Sequence, residues 1–393
     1  MAVLAGLATA GSPVAGLFLG VVAVALFLNG RRAAAFTLGT MPCAVVGLSA
    51  WLFPFSGTQP MSFGTDVMPF LSAVGVALLV PKQWRTIRLA CAVYAVGVVL
   101  AWGVDSQVGS NITRLALLFA GVVLTAAMPW AVPRSRRRFL LGAALLSVTA
   151  WQVTNTVGDY VRTAPAASWN QRELAPLLEQ LRRCHAERGR VEVVPSASHR
   201  ESSALAPHFN LARGWNRQAD AGRNPLFYNG TLTAESYHAW LQRWAVRYVV
   251  LPRDGRPDYA ALEEARVVQA EQPYLKRIWS DAHWELYEVS DPLPLAEAPA
   301  AARRASAGML TVTVPSAGQS SSASRTRPGS LADDNGKALK SPPTTSGFQR
   351  NGCLTKAPKD GGGDEWTYLH APRAGTYRIA APYKFPRGTP CRP

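Results

Sequence analysis

The chain has 393 residues, 48% of them hydrophobic, and a formal net charge of +16. That charge does not point to nucleic acid. The Lys and Arg concentrate between apolar runs, where a membrane protein keeps its cytoplasmic bases, and no run interleaves them with base-stacking aromatics. Five cysteines with no CxxC pair and no Cys/His ligand spacing argue against a structural zinc site, and nothing in the sequence calls for a cofactor.

Up to Tyr160 the chain is a series of apolar runs: Pro13 to Asn29, Ala33 to Phe53, Met61 to Val80, Ile87 to Val104, Leu115 to Val132 and Phe139 to Tyr160. Most approach the ~20 residues that cross a ~30 Å hydrocarbon core. They predict about six transmembrane helices over 1–160, an all-α membrane domain. The third run is interrupted at its start by Gly64, Asp66 and Pro69, which suits a shorter helix approached by a re-entrant loop. Residues 1–12 are also apolar, with Gly11-Ser12-Pro13 as a break. They read as the end of a preceding helix or as the first turns of helix one.

The connections set an orientation. Arg31 and Arg32 follow the first run, Lys82, Arg85 and Arg88 the third, and Arg134, Arg136, Arg137 and Arg138 the fifth. The other two connections hold one basic residue between them, so the basic three are expected in the cytoplasm. An even number of crossings then puts everything after Tyr160 outside the cell. It also puts the start of helix one outside, where no basic n-region accompanies it. Missing upstream helices would account for that.

Residues 161–291 carry alternating signals of an extracytoplasmic α/β domain. Leu174, Leu177, Leu178 and Leu181 make one helical face, Arg190 to Val194 alternates as a strand, and Thr233 caps a helix reaching Trp244. Arg247 to Leu251 reads as a buried strand and Tyr259 to Gln269 as a helix. Leu275 to Trp279 with Trp284 to Val289 form a hairpin. Residues 292–345 read as a flexible linker rich in Pro, Ala and Ser, with Met309 to Val314 as one strand candidate. Residues 346–393 read as a small β segment. Cys353 and Cys391 flank it, either as a disulfide if the segment is extracytoplasmic or as two free thiols.

Three groups of residues could carry chemistry. Ser110, Asn111 and Arg114 stand where a helix begins at the membrane surface, a place suited to phosphate and equally to an ordinary cap with Arg114 among lipid headgroups. Asp66, Asp105 and Asp159 are the acids of the membrane half, candidates for a general base or proton carrier that all lie at the edges of runs. The densest polar-aromatic cluster is Arg213, Trp215, Arg217, Asp220, Arg223, Asn224 and Tyr228. Arg offers bidentate contacts to phosphate, and the aromatics offer faces for a sugar ring. The other reading is that Trp215, Phe227 and Tyr228 pack the domain onto the membrane half while the Arg residues are solvated. His199 and His208 have no Ser or Asp at a telling spacing, and His283 belongs to the hairpin turn.

Arg190 to Pro195, Leu211 to Trp215 with Asn224 to Tyr228, and Tyr248 to Pro252 together resemble an actinobacterial family of polytopic membrane proteins. In plan that family is similar to glycosyltransferases of the C-type membrane fold (GT-C). The resemblance spans Leu4 to Val289. It implies a cell-envelope enzyme that takes a sugar from a polyprenyl-phosphate donor and passes it to a glycan acceptor on the outer face. The C-type enzymes carry a catalytic Asp or Glu in their first outer loop, and no such acidic loop precedes Pro13 here. The expectation is therefore a transferase-like membrane protein, incomplete or inactive if that loop is truly missing. A transporter and a non-catalytic envelope scaffold are the alternatives. The partners expected are membrane lipids, the lipid-linked sugar and the glycan acceptor, with no nucleic acid.

Overall fold

Each apolar run of the first 163 residues winds into a helix, the form in which a backbone satisfies its own hydrogen bonds. A computed structural model describes residues 1–53, 57, 61, 63–214, 216–322, 330–332, 352–356, 367–380 and 391. The helices are α1 (Ala2–Gly11), α2 (Pro13–Leu28), α3 (Arg32–Leu52), α4 (Phe63–Leu79), α5 (Arg85–Gly103), α6 (Thr113–Ala127) and α7 (Arg136–Thr163). Four stretches are long and apolar enough to cross a membrane: Arg32–Leu52, Arg85–Gly103, Gly109–Trp130 and Arg136–Thr163. The helices α1, α2 and α4 are apolar but shorter. Large side chains such as Trp51, Leu78, Phe139 and Leu146 stay exposed on this part of the chain. Uncovered apolar surface of this kind is compatible with a membrane protein.

The break at Gly11-Ser12-Pro13 is real. Ser12 is extended (φ −155°, ψ 112°) and Pro13 opens α2, so α1 is a helix of its own. The third run forms α4 with Asp66 and Pro69 inside it. The re-entrant approach expected ahead of α4 falls mainly on residues outside the described set.

Three contacts gather the basic connections at one end of the helical unit. Asn29 Nδ2 donates to Thr86 Oγ1 at 2.8 Å, tying the α2–α3 turn to the start of α5. Arg137 donates from Nε and Nη2 to the Leu79 carbonyl at 3.1 and 2.9 Å, tying the start of α7 to the end of α4. Trp84 meets Trp130 edge to face at 6.1 Å. At the opposite end, Phe63 meets Trp102, and Tyr94 Oη donates to the Ile112 carbonyl at 2.8 Å. The up-and-down order of the helices is therefore set by named contacts as well as by run length.

By contact the chain divides into two compact units, Met1–Val161 with Ala221–Arg223, and Arg162–Asp220 with Asn224–Pro393. The second unit opens with an α/β region. Its elements are α8 (Gln171–Arg183), β1 (Arg190–Val193), α9 (Arg200–Ala204), α10 (Arg217–Arg223), α11 (Ala234–Arg243), β2 (Val246–Pro252), α12 (Leu262–Gln269), β3 (Leu275–Ser280) and β4 (Trp284–Val289). The sheet runs β1-β2-β4-β3, with β1 and β2 parallel and the other pairings antiparallel.

Both faces of this sheet are covered, which is why β2 reads as a continuous apolar run. Val191, Val193, Tyr248, Val250 and Leu286 pack with Leu174, Leu177 and Leu181 of α8. Val246, Val249 and Leu251 pack with Tyr237, Trp240 and Leu241 of α11 and with Val268 of α12. A shift of register opposite Arg190 and Val191 lets Val246 share a face with Val249 despite their odd spacing. Trp284, fully buried, stands edge-on to Trp169 at 4.8 Å and donates from Nε1 to the Glu173 carbonyl at 3.0 Å.

The remaining strands are β5 (Ala301–Ser306), β6 (Met309–Val314), β7 (Gly318–Ser322), β8 (Ser330–Ala332), β9 (Cys353–Lys356), β10 (Thr367–Ala371) and β11 (Gly375–Ala380). They form two antiparallel sheets, β7-β10-β9 and β5-β6-β11-β8. Where a linker was expected over 292–345, the described residues 301–322 and 330–332 hold strands, and 323–329 and 333–345 lie outside the described set. The strands β7 and β6 of this stretch pair with β10 and β11 across 45 residues or more, and its Ala296, Ala300, Val312 and Val314 pack against Leu354, Leu369 and Ile379. Local composition hid this, because Ala and Ser score as linker until distant partners cover them.

Candidate functional site

Glu192 is the anomaly of β1. Its neighbours Val191 and Val193 bury against the α8 face, so period-two alternation aims Glu192 into the opposite core. The segment after α9 extends the sheet there: Val191 N donates to the Asn210 carbonyl at 2.8 Å and Ala212 N to the Val191 carbonyl at 3.0 Å. That pairing delivers Arg213 beside Glu192.

Arg213 is a hub. Its Nε donates to Glu192 Oε1 at 2.9 Å, its Nη2 to Glu264 Oε2, and its Nη1 lies 3.6 Å from Asp220 Oδ2. The guanidinium sits over the Phe227 ring, 3.6 Å from the centroid. Tyr237 Oη donates to Glu264 Oε1 at 2.9 Å. Asp220 accepts from Asn224 Nδ2 and from Tyr228 Oη, each at 2.7 Å, and Asn224 Oδ1 accepts from Trp240 Nε1 at 2.9 Å. Three carboxylates thus surround one cation in a buried site.

Such a site cannot hold three full negative charges cheaply. Burial pushes the Glu192 carboxyl well above its usual range, with Arg213 opposing and Glu264 and Asp220 adding to the rise. Burial also raises Glu264, again against the pull of Arg213. Glu192 Oε2 is buried with no hydrogen-bond partner among the described residues, so a full negative charge on this carboxyl is poorly compensated.

A cleft opens beside the hub at the carboxyl ends of the parallel pair β1 and β2, the side of an α/β sheet where ligands usually sit. The chain leaving β1 and the chain leaving β2 are tied there, with Asp258 N donating to the Pro195 carbonyl at 2.8 Å and Ala197 N to the Arg256 carbonyl at 2.9 Å. His199, Glu201, Ser202, Arg217, Tyr228 and Asp258 line the cleft, and Arg213 and Asp220 form part of its wall. Its enclosed room is about 20 Å³, enough for about one water. A larger ligand therefore meets it at its mouth.

The charges at that mouth alternate. His199, in the left-handed region at φ 51°, has Nδ1 3.1 Å from Glu201 Oε1 and Nε2 3.8 Å from Asp258 Oδ1. Arg217 donates from Nη2 to Asp258 Oδ1 at 2.6 Å and lies over the Tyr259 ring, 4.2 Å from its centroid. Ser196 Oγ donates to Glu201 Oε2 at 3.0 Å. The Glu201 hydrogen bond raises the His199 pKa; burial opposes it, and the charges of Glu201 and Asp258 add to the rise. Ser196 bonds Glu201 rather than His199, so that serine is not placed as a nucleophile against the imidazole. Among the described residues, no group of three or more His, Cys, Asp or Glu is placed to hold a metal ion.

Of the residues singled out by sequence, the structure brings Arg213, Arg217, Asn224 and Tyr228 into one network through Asp220 and the cleft wall. It corrects the picture of a free ligand loop. Arg213 and Asn224 are buried and spend their polar groups inside the chain, and Phe227 packs in the core beneath Arg213. Trp215 lies outside the described residues, and Arg223 closes α10.

Ser110 and Asn111 occupy a short turn of 3-10 helix that runs straight into α6, with Thr113 Oγ1 donating to the Ser110 carbonyl at 2.8 Å; the N-cap positions themselves fall on Val108 and Ile112, whose side chains form no cap. Arg114 is exposed in the first turn of α6. Asp105 and Asp159 are exposed, whereas Asp66 is buried in α4 with neither carboxylate oxygen hydrogen-bonded among the described residues. Cys353 and Cys391 form a disulfide.

Sequence reading placed Asp220 in the polar-aromatic cluster but missed Glu192, Asp258 and Glu264. Glu192 gave a signal, an acid inside a run of valines, and a buried acid needs a cation. The others sit on short polar helices or loops and gave none.

Residues 297–393 match the family model of a domain of unknown function, DUF8823. The matched stretch holds β5 to β11 and lies beyond the cleft. No curated protein and no solved structure matches the chain.

Proposed function

We propose that the chain is a multi-pass cell-envelope protein of glycosyltransferase-like plan, whose outer α/β region receives a hydroxyl-rich glycan at the cleft of His199, Arg217 and Asp258. The carrying observation is the alternation of carboxylates and cations at the mouth of that cleft, beside the Tyr259 ring. Carboxylates accept from sugar hydroxyls, cations donate to them, and an aromatic face suits a pyranose. Six spans, α2 to α7, are the reading favoured for the helical unit. Their three basic connections share one end, so the positive-inside rule assigns that end to the cytoplasm. The chain that follows α7 then stands outside. Sugar donated from a polyprenyl phosphate would arrive there, with Arg114 exposed at the same end of the helices as the Tyr94–Ile112 contact.

The test uses the full chain in liposomes with polyprenyl-phosphate sugars and an envelope glycan acceptor. Transfer should occur and fall at least tenfold in Arg217→Ala and Asp258→Asn. Absence of transfer with acceptor still bound would favour the second reading, a non-catalytic envelope scaffold. That reading has one observation behind it: Glu201, Asp220 and Asp258 already have partners within the chain. Unchanged transfer in both variants would remove the cleft from the mechanism.

A further inference from the structure

The helical unit contains an apolar groove of about 340 Å³ between α2, α4, α5 and α6. Phe18, Val22, Val76, Ile87, Tyr94 and Phe119 stand around it, and small residues between them leave the room open. Its wall is almost wholly carbon. The side chains there that carry a polar group are Ser72 of α4, whose Oγ is buried with no hydrogen-bond partner among the described residues, and Cys91 and Tyr94 of α5.

The groove has a direction. On α5 it runs from Ile87 to Tyr94, a rise of about 10 Å. Ile87 is the end nearest the basic connections, and Arg85 and Lys82, both exposed, stand just beyond it. The three basic connections carry nine Lys and Arg in all (two, three and four) and no Asp or Glu. The end of the groove at Ile87 thus lies nearest to concentrated positive charge that no acid of the same loops neutralises, and its length on α5 is about two thirds of one leaflet of a ~30 Å core.

We propose that this groove holds one acyl chain of an anionic phospholipid from the leaflet at the basic end, with its phosphate set against Lys82 and Arg85. The apolar length takes the chain, and the basic rim supplies the electrostatic part that draws anionic headgroups. The inference rests on the helical unit spanning a bilayer and is independent of the sugar-transfer reading.

The full chain in detergent is titrated with phosphatidylglycerol and with phosphatidylcholine, and retained lipid is read by native mass spectrometry. One phosphatidylglycerol should be held at least tenfold more tightly than phosphatidylcholine. Lys82→Gln with Arg85→Gln should bring the two lipids to within about twofold. Ala120→Phe, which fills the groove, should lose both. Should that variant fail to fold, the wild type carries its own reporter, because Cys91 lines the groove. Phosphatidylglycerol should slow its alkylation by N-ethylmaleimide at least fivefold and leave exposed Cys43 unaffected. Equal retention of the two lipids, a Cys91 indifferent to lipid, or a Cys91 shielded only in a dimer of this chain would each overturn the proposal. Protein recovered from cells without membranes or detergent would instead remove the bilayer reading beneath it.

Discussion

The guanidinium of Arg213 lies flat enough over the Phe227 ring to sit 3.6 Å from its centre, while its Nε reaches Glu192 at 2.9 Å. One side chain thus joins β1, α10 and α12 through charge and the underlying core through stacking. Removing it leaves Glu192, Asp220 and Glu264 buried without their cation. Arg213→Met should cost about 3–5 kcal/mol, the usual penalty for breaking a buried pair from one side. Arg213→Lys should recover only part, since an ammonium cannot present a planar fork to two carboxylates while stacking on a ring. Denaturant unfolding followed by near-ultraviolet dichroism measures both, and a Lys variant as stable as the wild type would show that shape matters little here.

Glu192 should make the α/β region less stable as pH rises. Its folded pKa is raised above the ordinary 4.5, mainly by burial. The native state therefore binds more protons than the unfolded chain above that value, and stability falls with increasing pH until the native carboxyl has titrated. Glu192→Gln keeps an oxygen for Arg213 Nε and cannot ionise. Compared with the wild type it should gain stability from pH 5 to pH 8, with the gap widening toward pH 8. A constant difference between the two proteins across that window would place the charge on Glu192 at both ends.

Long-period signals were legible and contact-defined ones were not. The apolar runs are read directly as α2 to α7, because a helix that buries or exposes apolar faces all round needs no partner to be recognised. Thr233 was visible as a cap, and its capping box with Ser236 is formed. The strands of the α/β region were also visible, since Val, Tyr and Leu runs declare themselves. By contrast, the role of Arg213 depends on Glu264, 51 residues away, and on the Leu211 pairing that positions it. Nothing local distinguishes an Arg that meets a ligand from an Arg that meets three internal acids. Ala301–Ser306 failed for the same reason: its strand identity comes from β6, across a turn at Gly308 with φ 75°.

His199 should act in the opposite sense to Glu192. Its folded pKa is raised above the ordinary 6.5, chiefly by the hydrogen bond to Glu201. Its contribution is then fully present below about pH 6.5 and is lost as pH rises through the folded value. His199→Gln should destabilise the region more at pH 5.5 than at pH 8.5. The same protonation sets the charge at the mouth of the cleft, so glycan binding by the wild type should change across this range and the variant should flatten it. Proton resonances of the His199 ring against pH give the titration directly, and a midpoint below 6.5 would reverse the expectation.

The Cys353–Cys391 bond closes a segment of sequence separation 38 around the β module. A crosslink of that span removes loop entropy from the unfolded chain worth about 3–4 kcal/mol in the chain-entropy account. The folded side is consistent with it, because Cys391 N also donates to the Leu354 carbonyl at 3.2 Å beside the first half-cystine. Leu354 belongs to the core with Val312, Leu369 and Ile379, so loosening the bond should be felt in that core first. Cys391→Ser in the full chain should therefore speed amide exchange in peptides covering β6, β10 and β11 by about two orders of magnitude or more, the rate equivalent of that free energy where the opening equilibrium sets exchange. Peptides of β1 and β2, whose core is built from other residues, should keep their wild-type protection. Equal acceleration in both sets would mean that the β module and the α/β region unfold as one cooperative body.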